Sequence, residues 1–144
     1  MKNDVIKELN TFLEGNFMAI HAYEKYIQHI NDDEIKRVLQ IIQQNHKKHA
    51  MLVAERIQNL DGVPVEDVGL MGNVAEFLNK IKGSTTNPDA ILKDALLGEH
   101  RGIEKSKEIL KNDLDPESLE LVKGILKHDQ KHIVLLDELI IRKG

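Results

Sequence analysis

His46-Lys47-Lys48-His49 and Asp129-Gln130-Lys131-His132 lie 83 positions apart, and the same offset separates Gly15-Asn16 from Gly98-Glu99. Residues three apart share one face of a helix, so each tetrapeptide presents its first and fourth side chains together. These polar residues fall where apolar stripes would otherwise continue. The first stripe runs Leu9, Leu13, Asn16, Ile20, Tyr23, Ile27 and Ile30, with the three-and-four spacing of a buried helix face. The second runs Ile35, Leu39, Ile42, His46, His49, Val53, Arg56 or Ile57, and Leu60.

Two more stripes follow. Leu92, Leu96, Glu99, Ile103, Ser106 and Leu110 make the third; Leu119, Val122, Leu126, Asp129, His132 or Ile133, Leu136 and Ile140 make the fourth. No stretch alternates as a strand would. Four amphipathic helices with charged outer faces predict an all-α fold, a four-helix bundle.

The breaks between stripes carry their own signals. Asn31-Asp32-Asp33 interrupts the first pair, and Asp61-Gly62 with Pro64 just beyond ends the second helix as a glycine-marked terminus does. Asn87-Pro88-Asp89 and Asp115-Pro116-Glu117 each supply a capping residue, a proline at the first helical position and an acid in the first turn. The chain therefore reads as one domain over residues 1–144. Helix pairs fill about 4–60 and 88–142, and residues 61–87 form a long crossover with a short helix on Val74, Phe77, Leu78 and Ile81.

Depth along the bundle follows from counting outward from the two hairpin turns. Asn16 lies 16 residues before Asp32, with His46 and His49 14 and 17 after it; Glu99 lies 16 before Asp115, with Asp129 and His132 14 and 17 after it. All six sit at one level. His46, His49, Glu99, Asp129 and His132 are thus expected to converge at mid-bundle as metal ligands. Imidazole and carboxylate suit iron, zinc or manganese, and a buried unpaired charge is too costly to leave without a cation or a closed hydrogen-bond network. Second-tier candidates are Asn16 itself, His21 and Glu104, again 83 apart, and Tyr23, whose hydroxyl could reach the core carboxylate but whose plain role is packing. His29, His100 and His128 lie off the stripes and read as surface residues. Gly15 and Gly98 each cost a helix interior about 1 kcal/mol relative to alanine, a cost that close helix approach beside the ligands would offset.

Composition narrows the function classes. There are no cysteines, which excludes disulfides, thiolate zinc sites and cysteine-held iron–sulfur clusters. A net charge of -4, dispersed along the chain, provides no basic stripe for nucleic acid and no polybasic membrane anchor. Five aromatic residues, three Phe and two Tyr, do not make a base-stacking platform. The first residues, Met1-Lys2-Asn3-Asp4, show no signal peptide or membrane helix, so a cytoplasmic protein is expected.

With these residues in view, the chain resembles the ferritin-like superfamily, and within it an uncharacterised bacterial branch of unknown function near rubrerythrin. The resemblance covers essentially all 144 residues. It implies a Glu from each of two helices and Glu-x-x-His from each of the other two. The matching positions are Asn16, His46-x-x-His49, Glu99 and Asp129-x-x-His132. It also implies a bound transition metal, a redox or stress role, self-association into a homo-oligomer and, without cysteine, an electron donor on another protein. The departures are chemical: Asn16 and His46 replace bridging glutamates, and Asp129 shortens a third. A mononuclear or degenerate dinuclear centre follows more readily than a full di-iron site. The competing expectations are a metal-free bundle serving a structural or interaction role, and a hemerythrin-like gas carrier, for which histidines and bridging acids are too few.

Overall fold

A computed structural model describes residues 2–67 and 87–143. Its helices are α1 (Lys2–His29), α2 (Asp33–Asn59), α3 (Pro88–Leu110) and α4 (Pro116–Lys143), and no strand occurs among the described residues. The expected short helix at Val74–Ile81 lies outside them.

The turn signals do what their chemistry suggests. Asp32 caps α2 by accepting from the backbone N–H groups of Glu34 and Ile35, and Asn87 caps α3 by accepting from Asp89 and Ala90. Asp115 accepts from the Ser118 N–H at the start of α4. The end of α2 differs from expectation. Asp61 takes the left-handed conformation, with φ 66°, while Gly62 serves a steric purpose. A Cβ on Gly62 would lie 2.8 Å from Ile6 Cγ2 and 3.0 Å from Ile57 Cγ2.

Two apolar clusters fill the ends of the bundle. One joins Tyr26 of α1 and Ile30 just after it, Ile35 and Leu39 of α2, Ile91 of α3 and Leu136 of α4. The other joins Leu9, Val53, Ile109 and Val122 with their neighbours at the opposite end. The late part of α1 thus meets the early part of α3, and the helices run up, down, down, up. The connection after α2 begins its return along α1: Asn10 Nδ2 donates to the Val63 carbonyl, Asn10 Oδ1 accepts from Val65 N–H, and His21 Nε2 lies 2.8 Å from Asp67.

Where a stripe offered two residues, packing selects one. Ile57 is fully buried, while Arg56 is half-buried and reaches Asp115, Glu117 and Ser118 at the start of α4. On α4 the buried positions are Ser118, Ile125 and Leu139, one residue before the expected Leu119, Leu126 and Ile140. Apolar residues occupy both members of the last two pairs, so periodicity alone did not distinguish them.

Candidate metal centre

Between the apolar clusters lies a polar layer contributed by all four helices. Glu99 of α3 is its hub and is only 3% exposed. Glu99 Oε2 accepts from the Tyr23 hydroxyl of α1 at 2.8 Å and lies 2.8 Å from His46 Nε2 of α2. Glu99 Oε1 lies 2.7 Å from His132 Nδ1 of α4. Asp129, one turn before His132, sets Oδ1 at 3.5 Å from the same nitrogen, and that buried oxygen has no hydrogen-bond partner among the described residues. One donor atom each from His46, Glu99, Asp129 and His132 falls within 4.8 Å of all the others.

The electrostatics follow from this layer. Burial by itself would raise Glu99, but contacts with His132 and His46 outweigh it and hold the carboxyl at about 2. Burial would lower His132, but its contacts with Asp129 and Glu99 and their negative charge raise it to about 9. Burial first, then the neighbouring carboxylate of Glu99, pushes Tyr23 well above the usual phenol value. Tyr23 therefore stays a neutral donor. Its part exceeds the packing role expected from sequence.

The other sequence-derived candidates sit elsewhere. His49 is buried, but an offset of three residues turns it about 60° around α2 from His46. Its Nε2 faces His128 Nδ1 at 3.0 Å, and its Nδ1 has no partner among the described residues. Burial and the surrounding imidazoles lower His49 to about 3, so it is neutral at ordinary pH. Asn16 turns its amide back to the Phe12 carbonyl of its own helix. His21 pairs with Asp67, and Glu104 is exposed, with Lys107 3.8 Å away.

Sequence reading did not single out Asn45, whose amide lies 3.0 Å from His132 Nε2, or connect exposed His128 to the layer. A signal existed for both: Asn45 is four residues before His49, and His128 four before His132. An imidazolium donates through both nitrogens, so Asn45 must offer its oxygen while His132 is charged and its amino group once His132 is neutral. The carboxamide can do either by rotating.

A cavity of about 220 Å³ reaches the layer between α1 and α3. Gly15 and Gly98 both line it, and a Cβ on either would meet nothing within 4 Å among the described residues. The expected close helix approach at these glycines is therefore absent. Their missing side chains leave open space.

The donor set fits a divalent transition ion: two imidazole nitrogens and two carboxylates, one with an unsatisfied oxygen, held on three helices.

Comparison with known proteins agrees with this architecture. A family model described as a domain of unknown function (DUF2383) matches residues 4–112. No curated protein matches the chain significantly. Among solved structures, the chain is similar to a two-domain protein from Anabaena variabilis containing DJ-1/ThiJ/PfpI-like and ferritin-like domains (25% identity, TM-score 0.82). That match covers 100% of this chain and 41% of that one, so the chain spans about two fifths of its relative's length. A dodecameric thioferritin, the bacterioferritin-related protein of Bacteroides fragilis, matches with 19% identity and TM-score 0.79 over 99% of this chain and 87% of that one. A ferritin-like diiron-carboxylate protein from Bacillus anthracis strain Ames matches with 19% identity and TM-score 0.71, covering 96% of each. Fold, polar layer and family match together make this chain a member of the DUF2383 family, within the ferritin-like superfamily.

Proposed function

We propose that the chain is a metal-binding protein whose mid-bundle layer holds one transition ion, iron, zinc or manganese, on His46, Glu99, Asp129 and His132. The observation that carries this reading is the buried, partnerless Oδ1 of Asp129 beside three other donor atoms. A divalent cation would satisfy that oxygen and balance the two carboxylates. It would supply Lewis-acid or one-electron chemistry there. Tyr23 would hold Glu99 in place, and Asn45 would fix the orientation of His132 through its remote nitrogen. A second ion is disfavoured by the chain's own residues: Asn16 is an amide bonded to its own helix, and His46 is a terminal ligand type that cannot bridge as a glutamate does.

A redox or stress role, a rubrerythrin-like relation, a cytoplasmic location and a single domain over the whole chain belong to the same proposal. So does assembly into a homo-oligomer, for which the dodecameric thioferritin offers a precedent in fold. No helix among the described residues is long and apolar enough to cross a membrane.

The test is elemental analysis of tag-free protein grown with iron, zinc and manganese, with anomalous diffraction to locate the ion. About one ion per chain is expected, and its loss in a His46→Ala/His132→Ala double variant. Equal metal content in both forms refutes the site.

A second reading rests on the closure of the network around Glu99, both of whose oxygens are satisfied without an ion. It makes the protein a metal-free structural or interaction bundle. Thermal melts separate the two. An ion that binds only the folded chain adds about 4 kcal/mol at a thousandfold excess over its dissociation constant, whereas the second reading predicts no shift.

A further inference from the structure

The cavity between α1 and α3 has features that the metal centre does not use. Its volume of about 220 Å³ equals that of about seven waters. Phe12, Ala19, Ala22, Tyr26 and Ala95 give it apolar walls, while Glu99 and Asp129 lie at its inner end. Arg101 and Lys105, both exposed and one helical turn apart on α3, line it toward solvent. We infer that this cavity is a binding site for a small organic acid, its carboxylate held at Arg101 and Lys105 and its apolar tail directed inward.

Three observations carry the inference. Gly15 and Gly98 are helix-interior glycines with no neighbouring atom of the described residues within 4 Å of the Cβ position, so close packing among these helices does not explain them, whereas an open mouth does. Glu99 and Asp129 line the inner end, so the cavity runs from apolar walls to a negatively charged floor. Charge then sets the orientation: the carboxylates of Glu99 and Asp129 repel an anionic end, and the cations at the mouth attract it. The described part of the connection after α2 leaves this face open, because it bonds Asn10 and His21, which a helical wheel places on the flank of α1 away from Ala19.

The experiment titrates hexanoate, 1-hexanol and hexylamine into metal-free and zinc-loaded protein by calorimetry. One saturable hexanoate site per chain is expected in both forms, at least tenfold tighter than for hexylamine. Gly98→Leu, which enters open space and should fold, is expected to weaken hexanoate at least tenfold. Arg101→Glu/Lys105→Glu is expected to abolish the preference over hexylamine while 1-hexanol binding persists. The inference is overturned by unchanged hexanoate affinity in Gly98→Leu or by equal affinity for acid and amine. Binding confined to the zinc-loaded form also overturns it, since a metal would then hold the carboxylate. So does self-association of wild type that Gly98→Leu abolishes without any hexanoate binding, because a second copy would then cover this face. Because metal-free protein is included, hexanoate binding without metal uptake refutes the metal centre alone, and the converse refutes this site alone.

Discussion

Raising the pH of the metal-free protein from 6.5 to 9 should remove about 3 kcal/mol of its stability. The cause is His132, raised in the folded state from 6.5 to about 9 by its carboxylate neighbours. A group held above its unfolded value contributes its full stabilisation below the unfolded value and loses it as pH climbs through the folded one. At about 1.4 kcal/mol per tenfold change in proton affinity, the interval from 6.5 to 9 corresponds to about 3 kcal/mol. The depressed Glu99 is the other half of the same contact, so its shift is not added. With a urea dependence of about 2 kcal/mol per molar, the midpoint should fall by about 1.5 M. The assay is urea unfolding of chelator-treated protein at several pH values, with Glu99→Gln as control, in which the slope should flatten. Below pH 6.5 the direction reverses, because buried His49, lowered to about 3, refuses a proton that the unfolded chain accepts. A midpoint that is constant or rises between pH 6.5 and 9 would refute the ion pair at the heart of the layer.

Three substitutions test the packing account by thermal or urea denaturation. Tyr23→Phe removes a buried hydroxyl donor to an ionised carboxylate and should cost about 1.5–3 kcal/mol; an unchanged midpoint would mean that Tyr23 only packs. Gly98→Ala meets no atom of the described residues within 4 Å and should stabilise by up to about 1 kcal/mol, so destabilisation would contradict the open space beside it. Gly62→Ala, with Ile6 Cγ2 only 2.8 Å from the new carbon, should cost about 1–3 kcal/mol, and a neutral result would mean that the chain there shifts freely.

Sequence made the bundle and the level of its polar layer legible because both depend on spacing along the chain. Asp32, Asn87 and Asp115 act through neighbours two or three residues away, so their capping was legible too. Direction around a helix was harder. His46 and His49 share a face in the coarse sense, yet about 60° of rotation sends one to Glu99 and the other to His128. Tyr23 and Asn45 needed the positions of other helices before their partners existed. Gly15 and Gly98 were conspicuous, but only the packed structure distinguishes a glycine that admits a helix from one that leaves a void.

The polar layer also fixes which way the four helices sit along one another. Apolar residues at each end would accept a slip of one turn, about 5.4 Å, with other aliphatic groups filling the same space. Glu99 would not, because its contacts to Tyr23, His46 and His132 reach three different helices within 2.8 Å and a slip of any one breaks its bond. Replacing the layer with leucines could therefore leave the protein as stable while blurring its alignment. The residues proposed to hold an ion also serve as the key by which the bundle finds a single register.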